Sequence, residues 1–398
     1  MNHVQSEKDY LVYLISTVLN NTVPCTPAFD CDWNKLYIIA RQHNASNIAY
    51  YAIKQIVGEV DLPPDAFSKF EYDYKSGIAK EATQHIEAEN ILKIFEERGI
   101  ECIPLKGYVL KHLYPKPDMR LMTDIDMLVK QTQMINAKSI MLELGYSLKS
   151  KGEIHDVYYK KPFMNVQIHK QLFSEHYLYS EYFSTIWETA VLKTSCSFIY
   201  ELTTEDFYIY MLAHIAKHYY QGGTGIRSVV DVWVYNKEYF KLMDWNYTEN
   251  KLSKIGLLEF TNIIRDIGQD WIDDQCKDKS YEHVIKYILS SGIYGTLDSL
   301  VLNDIINETD MHDNLDKIKC KYLLKRMFPP IDHMKLIYPK LTCLPFMLPM
   351  CWILRGFSCM IYRHKRTIQI LKIVLTSTSK KINELNNIHK VMTPTYKR

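Results

Sequence analysis

Over the first hundred positions apolar residues recur at intervals of three and four, the spacing that lines one face of a helix. Segments near Asp9–Leu19 and Trp33–Lys54 follow it. A longer helix is predicted after Leu62-Pro63-Pro64, with Asp65 as its cap and Gly99 as its end. Its expected stripe is Phe67, Phe70, Tyr74, Ile78, Ile86 and Phe95.

At Ile100 the pattern changes to short apolar pieces separated by turns. Ile100–Leu105 reads as a strand, Gly107–Tyr114 as a helix, and Pro115 and Pro117 as a turn. A strand Leu121–Val129 follows, then a helix to Leu144 closed by Gly145. Tyr146–Leu148, Val157–Lys160 and Asn165–His169 read as further strands. From Thr204 helical spacing returns and continues to the end. The fold class expected is therefore α+β: a small α/β sheet module embedded between predominantly helical N- and C-terminal regions. The regions are residues 1–99, 100–200 and 201–398. A sheet module of about 75 residues is near the lower size for a self-sufficient core, so it should lean on the helices around it.

Composition changes this picture little. Hydrophobic residues are 47% and charged residues 24% of 398, ordinary for a globular chain. The formal charge of +2 excludes a chain that is basic throughout, as a general nucleic-acid glove would be. Charge is nevertheless uneven: from Arg363 to Arg398 only Glu384 opposes a run of Lys and Arg. Nine cysteines, with no close pairs and no zinc-type spacing, read as reduced thiols of a cytoplasmic protein. The start, MNHVQSEKDY, has no basic-then-apolar leader pattern. Leu341–Tyr362 is apolar, but Pro345, Pro349 and Arg355 interrupt it, so no transmembrane segment is expected. It reads as buried or interface-seeking. Ile368, Leu371 and Leu375 continue at helical spacing inside the basic tail, which leaves peripheral membrane contact or RNA contact open.

Candidate chemistry is concentrated in two short stretches. Leu105-Lys106-Gly107 places a glycine turn between a strand and a helix, where backbone N–H groups can approach a phosphate and Lys106 can add charge. Arg120-Leu121-Met122-Thr123-Asp124-Ile125-Asp126 places two carboxylates on one face of a strand. Adjacent carboxylates repel unless a cation lies between them, and Mg²⁺ bound through carboxylates and substrate phosphates is the usual solution. A solvated strand end and a plain turn are the alternatives on residue chemistry alone.

These residues resemble the uncharacterised nucleotidyltransferase family, a branch of the polymerase-β-like superfamily. The matching pattern is Leu105-Lys106-Gly107, Tyr114, Arg120, Asp124-Ile125-Asp126 and Leu128-Val129. Further likeness lies at His169, at His214 and His218, at Gly225-Ile226-Arg227 with Asp231, and at Tyr338-Pro339, Pro349, Trp352 and Arg355. The resemblance implies an Mg²⁺-dependent transfer of a nucleoside monophosphate from an NTP to a hydroxyl acceptor. Asp124 and Asp126 would be catalytic and hold the metal, while Lys106, Gly107, Arg120 and Arg227 would bind nucleotide.

One position departs from that pattern. Where the family carries a third acid, two residues before the histidine, this chain has Gln167, which can neither accept a proton nor contribute charge. His169 shares its strand face and is the expected substitute base, with Glu153 or Asp156 as acids that could swing in. The alternative is a catalytically impaired protein that binds nucleotide or a partner. His214 and His218, four apart, have zinc-clamp spacing but no third ligand or zinc-protease Glu, so bonding to backbone or carboxylate is the expectation. For Arg227, an intrahelical pair with Asp231 and a phosphate contact stand equal. The acceptor, whether protein, small molecule or RNA, is not legible.

Overall fold

A computed structural model describes residues 6–391 apart from 176, 178, 275–280, 294 and 308–313. The N-terminal helices are α1 (Glu7–Leu19), α2 (Trp33–Gln42), α3 (Ser46–Ile56) and α4 (Pro64–Glu97). The single helix expected over Trp33–Lys54 is two, because Asn44 turns the chain at φ +51°. The cap expected at Asp65 is displaced: Pro63 precedes the helix, Pro64 opens it, and Asp65 lies in the first turn.

Helix α4 also corrects the expected stripe. Ile78 and Ile86 are exposed, and the buried line runs through Ala66, Phe70, Gly77, Gln84, Ala88, Ile91 and Phe95. Gly77 lies on it because a Cβ there would sit 3.3 Å from Leu121 Cδ2. At 34 residues the helix serves two cores. Phe70 packs with α1–α3, whereas Ala88, Ile91, Leu92 and Phe95 pack on the sheet.

The sheet is built from β1 (Cys102–Pro104), β2 (Ile125–Val129), β3 (Ser147–Lys151), β4 (His155–Lys160) and β5 (Met164–His169), in the order β1-β2-β5-β4-β3. Only the β2–β5 pair is parallel, and Asp126 lies opposite Gln167. Between the strands lie α5 (Gly107–Leu110) and α6 (Met134–Glu143). The helix expected to Tyr114 is one α-turn followed by a 3-10 turn at Lys111–Leu113. The strand expected from Leu121 starts at Ile125, leaving Asp124 in the approach to it.

Alternation divides the faces. Ile125, Met127, Val129, Val166 and Ile168 turn toward α4 and α6, where each fully buried side chain contributes about 1.5–3 kcal/mol. Every residue of β2 is buried, as for a strand covered on both sides. The edge strand β3 is exposed along most of its length and carries Lys149 and Lys151, which discourage further pairing.

Short α7 (Ser180–Ser184), α8 (Ile186–Thr189) and the hairpin β6 (Val191–Leu192) and β7 (Tyr200–Glu201) follow. Then come α9 (Thr204–Gln221), α10 (Ile226–Tyr239), α11 (Trp245–Lys254), α12 (Leu258–Asp273) and α13 (Glu282–Ser291). The remaining helices are α14 (Leu297–Asn307), α15 (Leu315–Met327), α16 (Ile331–Ile337), α17 (Leu348–Tyr362), α18 (His364–Thr376) and α19 (Ser379–Val391). The chain forms two compact units, one of Met1–Lys217 with Gly225–Ile293, the other of His218–Thr224 with Tyr294–Met392. The first unit thus takes in parts of all three regions read along the sequence. In the second, Val301, Ile305, Ile318, Tyr322, Ile370 and Val374 form a core, and Met334, Leu341 and Cys351 a smaller one. The segment 392–398 of the basic tail lies outside the described residues.

Candidate active site

The parallel pairing of β2 and β5 brings their polar positions onto the same face. Asp126 Oδ1 lies 2.7 Å from His169 Nε2 and 3.1 Å from Lys106 Nζ. The Gln167 side-chain amide donates to Asp124 Oδ2 at 2.5 Å. The His155 ring, across from His169 on β4, stands 4.8 Å from it centroid to centroid. Asp124, Asp126, Lys106, Gln167 and His169 are therefore one cluster, drawn from three places in the sequence.

Lys106 reaches Asp126 through an unusual backbone. Its φ is +46°, a conformation that costs a non-glycine residue about 1–3 kcal/mol and persists where surrounding structure enforces it. The Leu105 N–H donating to the Asp126 carbonyl, at 3.0 Å, supplies part of that enforcement. Gly107 has a packing role. A Cβ there would meet Arg120 Nη1 and Met122 Cγ, each at 2.8 Å. The helix it opens has four residues, so its dipole is small.

The two carboxylates are driven apart in proton affinity. Burial, then the Asp126 charge, pushes Asp124 up to about 6 against the pull of Lys106, Arg227 and Arg120. Burial also raises Asp126, but Lys106 and His169 outweigh it and hold the group below the usual carboxylate range. Burial lowers His169, with Asp126 opposing, and lowers His155 to about 4. His169 is thus a neutral imidazole whose Nε2–H is donated to Asp126. Its Nδ1 is buried and has no hydrogen-bond partner.

Arg120 is a strut. Its Nε and Nη2 donate to Asp231 Oδ1 and Oδ2 at 3.0 and 2.8 Å, and Tyr114 Oη donates to the same carboxylate at 2.7 Å. All three are buried, so Asp231 has its charge partner on the loop before β2. Arg227 Nη1 donates to the Leu121 carbonyl at 3.0 Å, and Arg120 Nη1 reaches the same oxygen at 3.4 Å. Two arginines therefore fix the approach to Asp124. Arg227 also acts on Asp124 electrostatically.

Two lysines missed in the sequence join the site. Lys80 of α4 is lowered by burial and raised by Asp124. Lys217 of α9 is lowered by burial and Lys106 and raised by Asp126. The available signal for Lys80 was position: it falls between Gly77 and Gln84 on the buried line of α4, where a lysine needs a charge partner. Lys217 had no such signal.

The swing-in acids do not serve. Asp156 faces away from His155, pairs across the sheet with Ile168 and holds Lys170 at 2.9 Å. Glu153 is exposed in the β3–β4 turn. His214 and His218 are half-buried on α9, and no group of three or more metal-ligating side chains is found among the described residues. A divalent cation does suit Asp124 and Asp126. They are two residues apart at the start of β2, Gln167 and His169 each engage one oxygen of them, and substrate phosphates ordinarily complete such a donor set.

A family model described as "Uncharacterised nucleotidyltransferase" matches residues 30–273, more than half of the chain. Neither a curated protein nor a solved structure matches it.

Proposed function

The chain belongs to the uncharacterised nucleotidyltransferase family, and from that premise we propose that it transfers a nucleoside monophosphate from an NTP to a hydroxyl acceptor in a magnesium-dependent reaction. One observation carries this reading: Asp126 on the sheet face and Asp124 at the entry to its strand sit among Lys80, Lys106, Lys217 and Arg227. Arg120 adds no free charge, since Asp231 matches it. Three lysines thus stand around a pair of metal-type ligands, the arrangement that suits a triphosphate.

Asp124 and Asp126 would hold the cation, which supplies neutralisation of phosphate charge when bound. Lys106, beside Gly107, is placed to exchange its contact with Asp126 for a phosphate oxygen. Lys80, Lys217 and Arg227 would hold the remaining phosphate charge, and Arg120 would position the Asp124 loop through Leu121. In the transfer, the acceptor oxygen bonds to the α-phosphorus, the bond from that phosphorus to the bridging oxygen breaks, and pyrophosphate leaves. His169 is the base assigned to the hydroxyl proton. Asp126 fixes its tautomer and leaves Nδ1 as the accepting nitrogen.

A second reading has its own support. Gln167 donates to Asp124 where the family has an acid, and His169 Nδ1 is buried. Both favour a protein that binds nucleotide and transfers nothing. Incubation with α-labelled NTPs, Mg²⁺ and a cell extract as acceptor source separates the two. Transfer of label that Asp124→Ala abolishes supports the enzyme; label that stays on nucleotide while nucleotide binds supports the binding protein.

A further inference from the structure

The sequence leaves Leu341–Tyr362 to be either buried or interface-seeking, and the structure exposes it. The 18 residues Pro345–Tyr362 are apolar on average, yet only 6% of them are buried. Its exposed apolar side chains are arranged on one face. Met350, Ile353, Leu354, Phe357, Met360 and Ile361 follow steps of three, one, three, three and one along α17, all at least 47% exposed.

The opposite face fixes how the helix is turned. Cys351 is buried, the Trp352 indole N–H donates to the Pro329 carbonyl at 3.0 Å, and Arg355 Nη1 donates to the Arg326 carbonyl at 2.9 Å. The arginine that interrupts the apolar run is thus anchored inward, and the outward face is free of charge.

Helix α18 continues the surface. Ile370 and Val374 enter the core of their unit, whereas Ile368, Leu371 and Leu375 project outward at 41–73% exposure. Arg363, Lys365, Arg366 and Lys372 are exposed around them. Between Asp332 and Glu384 the chain has no acidic residue at all, in a protein of formal charge +2. An apolar face on a stretch of chain whose charged residues are all basic is complementary to a surface with an apolar interior and an anionic rim.

We propose that the outward faces of α17 and α18 form a docking surface for an anionic lipid bilayer, with both helices lying in the plane of the headgroups. Spanning is disfavoured by length: α17 has 15 residues, about 22 Å at ~1.5 Å per residue, against a hydrocarbon thickness of about 30 Å. The surface is separate in sequence from the nucleotidyltransferase site and does not depend on the chemistry proposed there.

The test is flotation of the full-length protein with vesicles of phosphatidylcholine, with and without phosphatidylglycerol, at low and high salt. The expected result is recovery with the anionic vesicles only, weakened severalfold at high salt. Lys365→Glu/Arg366→Glu should reduce partitioning more than about tenfold, since each basic residue near such a surface is worth about a fivefold factor. Ile353→Asp/Phe357→Asp should abolish it. Ile353→Ser/Phe357→Ser is the milder pair if circular dichroism shows the first misfolded. Failure to float with either vesicle overturns the proposal, as does binding that ignores lipid charge. It is equally overturned if the apolar variants convert a lipid-free oligomer to monomer, because a second copy would then cover this face.

Discussion

The side-chain amide of Gln167 donates a hydrogen bond to Asp124 Oδ2 across the β2–β5 pair. An amide there stabilises Asp124, whereas a carboxylate in the same place would repel it. The position thus sets whether the site rests in balance without a cation or needs one.

Gln167→Glu should therefore lower stability by about 1–3 kcal/mol in EDTA, by replacing a donor with a like charge beside a buried carboxylate. Mg²⁺ should restore most of that loss, which the wild type would not show. Thermal melts with and without Mg²⁺ read the difference. An equal loss in both conditions means that the third acid does not join a metal site. If transfer activity is limited by the missing carboxylate, the same variant should raise it.

The pair between Arg120 and Asp231 should behave as a buried strut. Asp231→Ala leaves the Arg120 guanidinium buried without its partner, at a cost of about 3–5 kcal/mol. The double variant Arg120→Met/Asp231→Leu should recover much of that loss, because it removes both charges. Urea unfolding of the two proteins tests this, and a double variant as unstable as the single one contradicts it.

Local signals and long-range ones differed in how much they disclosed. The D-x-D strand and the Lys106-Gly107 turn are legible because residues close in sequence set their geometry. The Arg120–Asp231 contact joins positions 111 residues apart, and nothing in the spacing of Arg227 and Asp231 points to it. The buried line of α4 is hidden for another reason. Its buried positions include Gly77 and Gln84, which carry no apolar signal, while the apolar Ile78 and Ile86 beside them are exposed. Lys80 is hidden in the same way. Exposure of α17 was not legible either, since apolar spacing alone cannot tell a helix that packs from one that faces outward.

Stability should also respond to pH through His43. Its Nδ1 accepts from the Ile226 N–H at 3.2 Å, and burial lowers the ring to about 4. The unfolded chain takes up the proton near its ordinary value of about 6.5. Stability from the neutral ring is complete above that value and is lost as pH falls toward 4, by on the order of 3 kcal/mol. His43→Gln should flatten the pH dependence of unfolding between those limits. An unchanged slope would place the titration elsewhere.

The most direct test is calorimetric titration of the protein with each NTP, in Mg²⁺ and again in EDTA, beside Asp124→Ala/Asp126→Ala. The proposed function predicts that at least one NTP binds in Mg²⁺, and that EDTA and the double variant each remove the binding. Binding of no NTP under either condition, or binding that neither change affects, would contradict it.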